Sequence, residues 1–188
     1  MNIVAALFGS LKALAGRADW SDHFNLTRKG LQQSFIALLL TIPAFYLIAY
    51  AVQRQRAAML ETDISAVPLV PFAIILLLYL LCFSAVAYIF AMIFDKQDRF
   101  RPWVVARHWS VFWLVLIVAG VFGLHLIGLV PFAAANYIAL IGFLCILLMD
   151  IRLAQVIIPF QIGAAILIGC TINAMGLVVI LLGFEQVL

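Results

Sequence analysis

Charge is what this sequence has least of. Asp, Glu, Lys and Arg make up 10% of its 188 residues, against roughly 25% in a soluble domain. A chain that is 68% hydrophobic, with a mean hydropathy of +1.23, cannot cover itself with a polar surface, which excludes an ordinary water-soluble domain. Cysteine is also sparse. Cys82, Cys145 and Cys170 lie in apolar runs without CxxC spacing, so they read as small hydrophobes and not as a zinc or redox site. The three histidines do not make a haem pair. His108 and His125 share one apolar run, 17 residues apart, or roughly 25 Å along a helix. His23 lies outside the runs, and bis-histidine ligation needs two ligands at one depth on facing helices.

Acidic side chains are missing from the interior of the apolar runs. All eight fall outside them or at their ends, which argues against a proton-driven pump. The sequence contains no HExxH, no glycine-rich phosphate loop, no nucleophile–base pair and no clustered basic face. Metalloprotease, nucleotide-binding and nucleic-acid-binding readings therefore lose their motifs. We expect no enzyme, no cofactor, no metal ligands and no nucleic-acid partner.

What is present is five apolar stretches, at about residues 31–52, 69–94, 103–127, 132–149 and 160–183. Each is long enough to cross a bilayer core, which takes about 20 helical residues. The expected fold is all-α, a bundle of five transmembrane helices over residues 31–188 preceded by an amphipathic segment over residues 1–30. In that segment Val4, Leu7, Phe8, Leu11 and Leu14 recur at helical spacing, with Asn2, Ser10, Lys12 and Arg17 largely opposite. This is the pattern of a helix lying in the membrane interface or packed on the cytoplasmic end of the bundle. No basic residue precedes Ile3–Phe8, and Lys12 interrupts what would be a signal-peptide core, so we expect the segment to be retained.

Pro43 predicts a kink in the first span. From Leu153 to Phe184 there is no charge for 32 residues, too long for one straight crossing. Pro159 is the expected break, and residues 150–159 read as a partly interfacial connector. Nine Lys and Arg fall on the N-terminal side of the spans and two, Arg54 and Arg56, on the other. Basic residues near span ends favour the cytoplasm, which predicts a bacterial inner-membrane protein with its N-terminus cytoplasmic and its C-terminus periplasmic.

An ionisable residue at membrane depth is a functional candidate. Arg107 and His108 lie five or six residues into the third span, with Asp150 at the same level as a partner. Arg107 is expected to snorkel toward the headgroups. His125 is expected to be hydrogen-bonded within the bundle. On the fifth span Gly169, Gly176 and Gly183 recur every seven residues, with Ala165 and Asn173 on or beside that stripe. Small residues allow close helix approach, so this face packs either within the chain or against a partner.

Three segments carry a family resemblance: Asn25–Ala44 (NLTRKGLQQSFIALLLTIPA), Val104–Val111 (VVARHWSV) and the pair of spans around Asp150-Ile151-Arg152. With an amphipathic N-terminus, five closely spaced spans and a short tail, the layout resembles the Yip-domain membrane proteins. The resemblance implies an integral membrane protein without catalytic residues that works through partners or through the bilayer, and it carries over no site residues. The short loops and the basic bias fit a bacterial inner membrane better than the vesicle traffic of eukaryotic members. The expected function is a scaffold, assembly or accessory subunit whose partners are lipid and either a membrane protein or further copies of itself. The alternative is a small oligomeric transporter or channel, which would show a water-filled cavity lined by Asn173, Thr171 and His125. A pigment- or quinone-associated role rests on His125 and the aromatic residues alone.

Overall fold

In a computed structural model, which describes residues 3–63 and 67–184, six α-helices follow one another: α1 (Ile3–Leu14), α2 (Arg28–Leu60), α3 (Leu69–Ile93), α4 (Gln97–Leu126), α5 (Phe132–Ile157) and α6 (Ile162–Phe184), with a 3₁₀ turn over Ala18–His23 after α1. Helices α2 to α6 are each long and apolar enough to cross a membrane. Asn2 and residues 185–188, which include the expected periplasmic terminus, lie outside the described residues.

Local chemistry fixes the helix ends. Thr27 starts α2: its hydroxyl accepts from the Gly30 amide at 3.3 Å and donates to Asn25 Oδ1 at 2.6 Å, which is an N-cap. Helices α1 and α4 stop at Gly16 (φ 71°) and Gly128 (φ 81°). There the next amide reaches back five residues, Arg17 to Lys12 O and Leu129 to Leu124 O, closing the Schellman motif that glycine permits without strain. Glu61 and Asp95 hold the same left-handed conformation after α2 and α3.

Three boundaries differ from expectation. Helix α2 stays helical through Pro43 and runs on to Leu60. Helix α4 starts at Gln97, enclosing Pro102 in its second turn. Helix α5 does not end at Met149 but continues to Ile157, so residues 150–157 are helix and only the next few residues make the connection. The physical reason is that Asp150 and Arg152 sit two positions apart, about 200° around a helix. Asp150 faces the bundle, fully buried, and Arg152 faces out. A helix carries both charges without breaking.

Helix α4 is the axis of the bundle, packed against α1, α2, α3 and α5, while α6 packs on α3 and α5. Ten consecutive α4 residues, Trp103 to Phe112, are buried, so neighbours enclose that stretch on every side. Helix α1 closes part of this enclosure. Its small residues Ala6, Gly9, Ser10 and Ala13 are buried, and it contacts α4 and α5. Ile3, Val4, Phe8 and Leu11 point outward. Of the two placements open for this segment, it is packed on the bundle, by its small face, with its large apolar side chains left to meet lipid.

Candidate functional site

Within the enclosed stretch of α4 lies a buried polar layer. Arg107, the eleventh residue of α4, is 3% exposed and Asp150 of α5 is 0% exposed. Arg107 Nε donates to Asp150 Oδ1 at 3.1 Å and Nη2 donates to Oδ2 at 3.4 Å, the two-pronged geometry that arginine offers a carboxylate. Asn173 of α6 adds a third contact. Its Nδ2 donates to Asp150 Oδ2 at 3.1 Å and to its own helix at Gly169 O, 2.9 Å away. The guanidinium carbon lies 4.2 Å above the Phe83 ring of α3, a cation–π contact. Four spans thus meet on one charge pair. Arg107 does not reach outward: it is enclosed by the bundle, and a carboxylate there meets its charge. The expectation that no acidic residue lies inside a span is corrected at Asp150.

His108 makes the second polar node. Its Nδ1 is 3.0 Å from Ser34 Oγ of α2, and its Nε2 is 3.2 Å from Ser84 Oγ of α3. Counting protons assigns the roles. Ser34 gives its hydrogen to Leu31 O at 2.7 Å, so it accepts from Nδ1–H, and Nε2 then accepts from Ser84. The ring is fixed edge-on to Phe35 and Phe83. Ser34 and Ser84 were invisible as partners in the sequence; the only signal is a hydroxyl inside an apolar run.

Toward the end of the bundle away from α1 the interior changes character. A crevice of about 360 Å³ opens between Phe45, Ile48, Ala49 and Val52 of α2, Phe72, Ile75 and Leu76 of α3, and Ile180 of α6. A second lobe of about 170 Å³ shares Phe45, Ile48 and Ile180 and runs between α4 and α5 to Tyr79. The Tyr79 phenol is the one polar side chain lining either lobe. A trapped water needs two to four polar partners, so the crevice is lined for hydrocarbon.

The glycine stripe explains why the crevice opens. A Cβ on Gly169 would meet Ile151 of α5, whereas one on Gly176 or Gly183 would meet Tyr79 or Ile75 of α3. A seven-residue repeat drifts about 20° per heptad on a straight helix, so α6 turns from α5 toward α3 along its length. The stripe, with buried Ala165, is therefore taken up inside the chain, the first of the two packings left open for it. The His125 ring packs edge-on against Phe132 at the start of α5, while its hydrogen bond stays within the connecting turn. Its Nδ1 donates to Val130 O at 3.0 Å, clamping its own turn between α4 and α5. Thr171 bonds Leu167 O. Asn173, Thr171 and His125 do not line one cavity. Among the described residues, no three of His, Cys, Asp and Glu are grouped to hold a metal ion. No family model, curated protein or solved structure matches the chain.

Proposed function

We propose that this protein is a non-enzymatic scaffold, assembly or accessory subunit of a complex in a bacterial inner membrane, oriented with its N-terminus cytoplasmic and related to the Yip-domain proteins it resembles. The observation that carries this reading is where the intramembrane polar groups go. Arg107, His108, Asp150 and Asn173 all bond to one another, to serines or to backbone within the chain. The outward face of α5 instead shows Tyr137, Leu140, Ile141, Leu144 and Leu148 at helical spacing, each about half exposed or more. Such a face meets lipid or an apolar partner helix, and short loops leave little else to recognise. The buried Asp150 favours the transporter as second reading, although both of its oxygens are already engaged.

The test is to extract the tagged protein gently from its native membrane and identify what co-purifies, and in what ratio. A stoichiometric membrane protein whose binding is weakened by Leu144→Trp supports the accessory role. A homo-oligomer without a partner, whose solute flux in liposomes is altered by Asp150→Asn, replaces it with transport.

A further inference from the structure

We propose that the crevice binds a membrane lipid with a small, uncharged head that accepts hydrogen bonds, the chemistry a quinone presents on its isoprenoid chain. The two lobes, about 360 and 170 Å³, share Phe45, Ile48 and Ile180, and together they reach the size of small-molecule sites. Their lining suits a hydrocarbon chain. Tyr79 sits at the inner end as the eleventh residue of α3, about 15 Å of helix from its start and so near the middle of a core roughly 30 Å thick.

The head chemistry follows from proton counting. The phenol of Tyr79 lies beside the Arg107 guanidinium and interacts with it electrostatically. A guanidinium only donates, so the phenol oxygen can serve it solely as an acceptor, and the phenol's own hydrogen remains to be given elsewhere. The crevice walls are otherwise apolar and offer no side-chain acceptor. Arg107 Nη1 is itself buried without a hydrogen-bond partner. An acceptor delivered by a ligand would satisfy the phenol. An anionic head would add a second negative charge to a site where Asp150 already matches Arg107. A phospholipid holds its ester carbonyls near the surface, too shallow for Tyr79. A helix, about 10–12 Å across with its side chains, is too wide for the inner lobe. A neutral carbonyl head on a flexible chain meets all four conditions.

The probe is decylubiquinone added to the full chain in phosphatidylcholine nanodiscs, read as a saturable rise in unfolding temperature. One molecule should bind per chain. Tyr79→Phe, read as the ligand-induced rise above its own ligand-free unfolding temperature, should weaken binding about tenfold, the loss of one hydrogen bond. Ala49→Trp should abolish binding by filling the outer lobe. Ala139→Leu, a smaller change in the inner lobe, should weaken it and serves if the tryptophan variant does not fold. Absence of saturation overturns the proposal, as does equal affinity in Tyr79→Phe. Equal stabilisation by decylbenzene, which has the chain without the carbonyls, would overturn it by showing mere apolar filling. No partner or flux enters the assay, so its outcome is separate from that of the accessory-subunit reading.

Discussion

Two regions of the same bundle are built on opposite terms. Around Arg107 and His108, every face of α4 is covered, and four other helices are joined to it by bonds of 3.0–3.4 Å or by a cation–π contact, directly or through Asp150. Around Phe45 and Ile180 the helices stand apart, and about 360 Å³ between them is left to hydrocarbon. In water such a gap would be a serious defect, but a bilayer changes the accounting. Lipid tails are as apolar as leucine, so apolar helix contact carries little net driving force there. A gap on that side is filled by lipid at small expense, while a polar group left unpaired has nothing to turn to. The comparison teaches that the polar layer specifies the arrangement of the spans and that the apolar end follows from it.

The sharpest way to break this comparison is Asp150→Ala. It leaves the Arg107 charge buried without its partner, which should destabilise the bundle by about 3–5 kcal/mol. The double variant Arg107→Met/Asp150→Leu should recover most of that loss, because replacing a buried pair by apolar residues of similar size is often close to neutral. Unfolding in mild detergent measures both. If Asp150→Ala unfolds at the wild-type midpoint, the polar layer does not specify the fold. Next in size is Gly176→Leu, at the border between the regions. A bare Cβ there would already sit 2.8 Å from the Tyr79 ring, so a leucine should cost about 1–3 kcal/mol by overpacking, read as a lower midpoint and, in the decylubiquinone assay, as weaker binding.

How much of this was legible depended on the element. The five spans announce themselves through hydropathy, and Arg107 in the third apolar run stood level with Asp150 at the end of the fourth. What hid Asp150 was its neighbour. Arg152 lies on the opposite face of α5 and is exposed, but in a linear reading the two charges together looked like the end of a span. Asn173 was grouped with the glycines because it lies beside their stripe, and nothing in the sequence says that the stripe turns from α5 to α3. Ser34, Ser84 and Tyr79 matter through residues 24 or more positions away, a distance over which hydrophobic periodicity carries no information. The sequence reading of α1 rested on Val4, Leu7, Phe8, Leu11 and Leu14 and left its placement open; the buried face of Ala6, Gly9, Ser10 and Ala13 did not enter it, since a helix apolar on most of its surface can present either side to the bundle.

On the apolar side the same reasoning predicts tolerance. Ala49 lines the crevice, and Ala49→Leu exchanges lipid methylenes for protein methylenes. Its unfolding midpoint should move by less than the equivalent of about 1 kcal/mol, several times less than Asp150→Ala. A large loss would mean that the crevice walls are held by packing as tight as that around Arg107.

The smallest effect belongs to a second cation–carboxylate pair, an ammonium where Arg107–Asp150 has a guanidinium, that lies in water and not inside the bundle. Lys12 at the end of α1 bonds Asp19 in the 3₁₀ turn, and both are accessible to water. The hydrogen bond from Lys12 holds the Asp19 carboxyl below its ordinary value of 3.8. A depressed folded-state value means that the unfolded chain takes up the proton first. The pair's contribution is therefore fully present above the ordinary carboxylate range and disappears as pH falls through the lower, folded value. Because water and salt screen an exposed pair, Asp19→Asn at neutral pH should leave the unfolding midpoint unchanged. Its trace should be confined to faster amide exchange over the last turn of α1 and residues 18–23, and acidification of the wild type should reproduce that trace. A loss of midpoint comparable to Asp150→Ala would mean that charge pairing itself, and not its removal from water, sets the energy scale in this bundle.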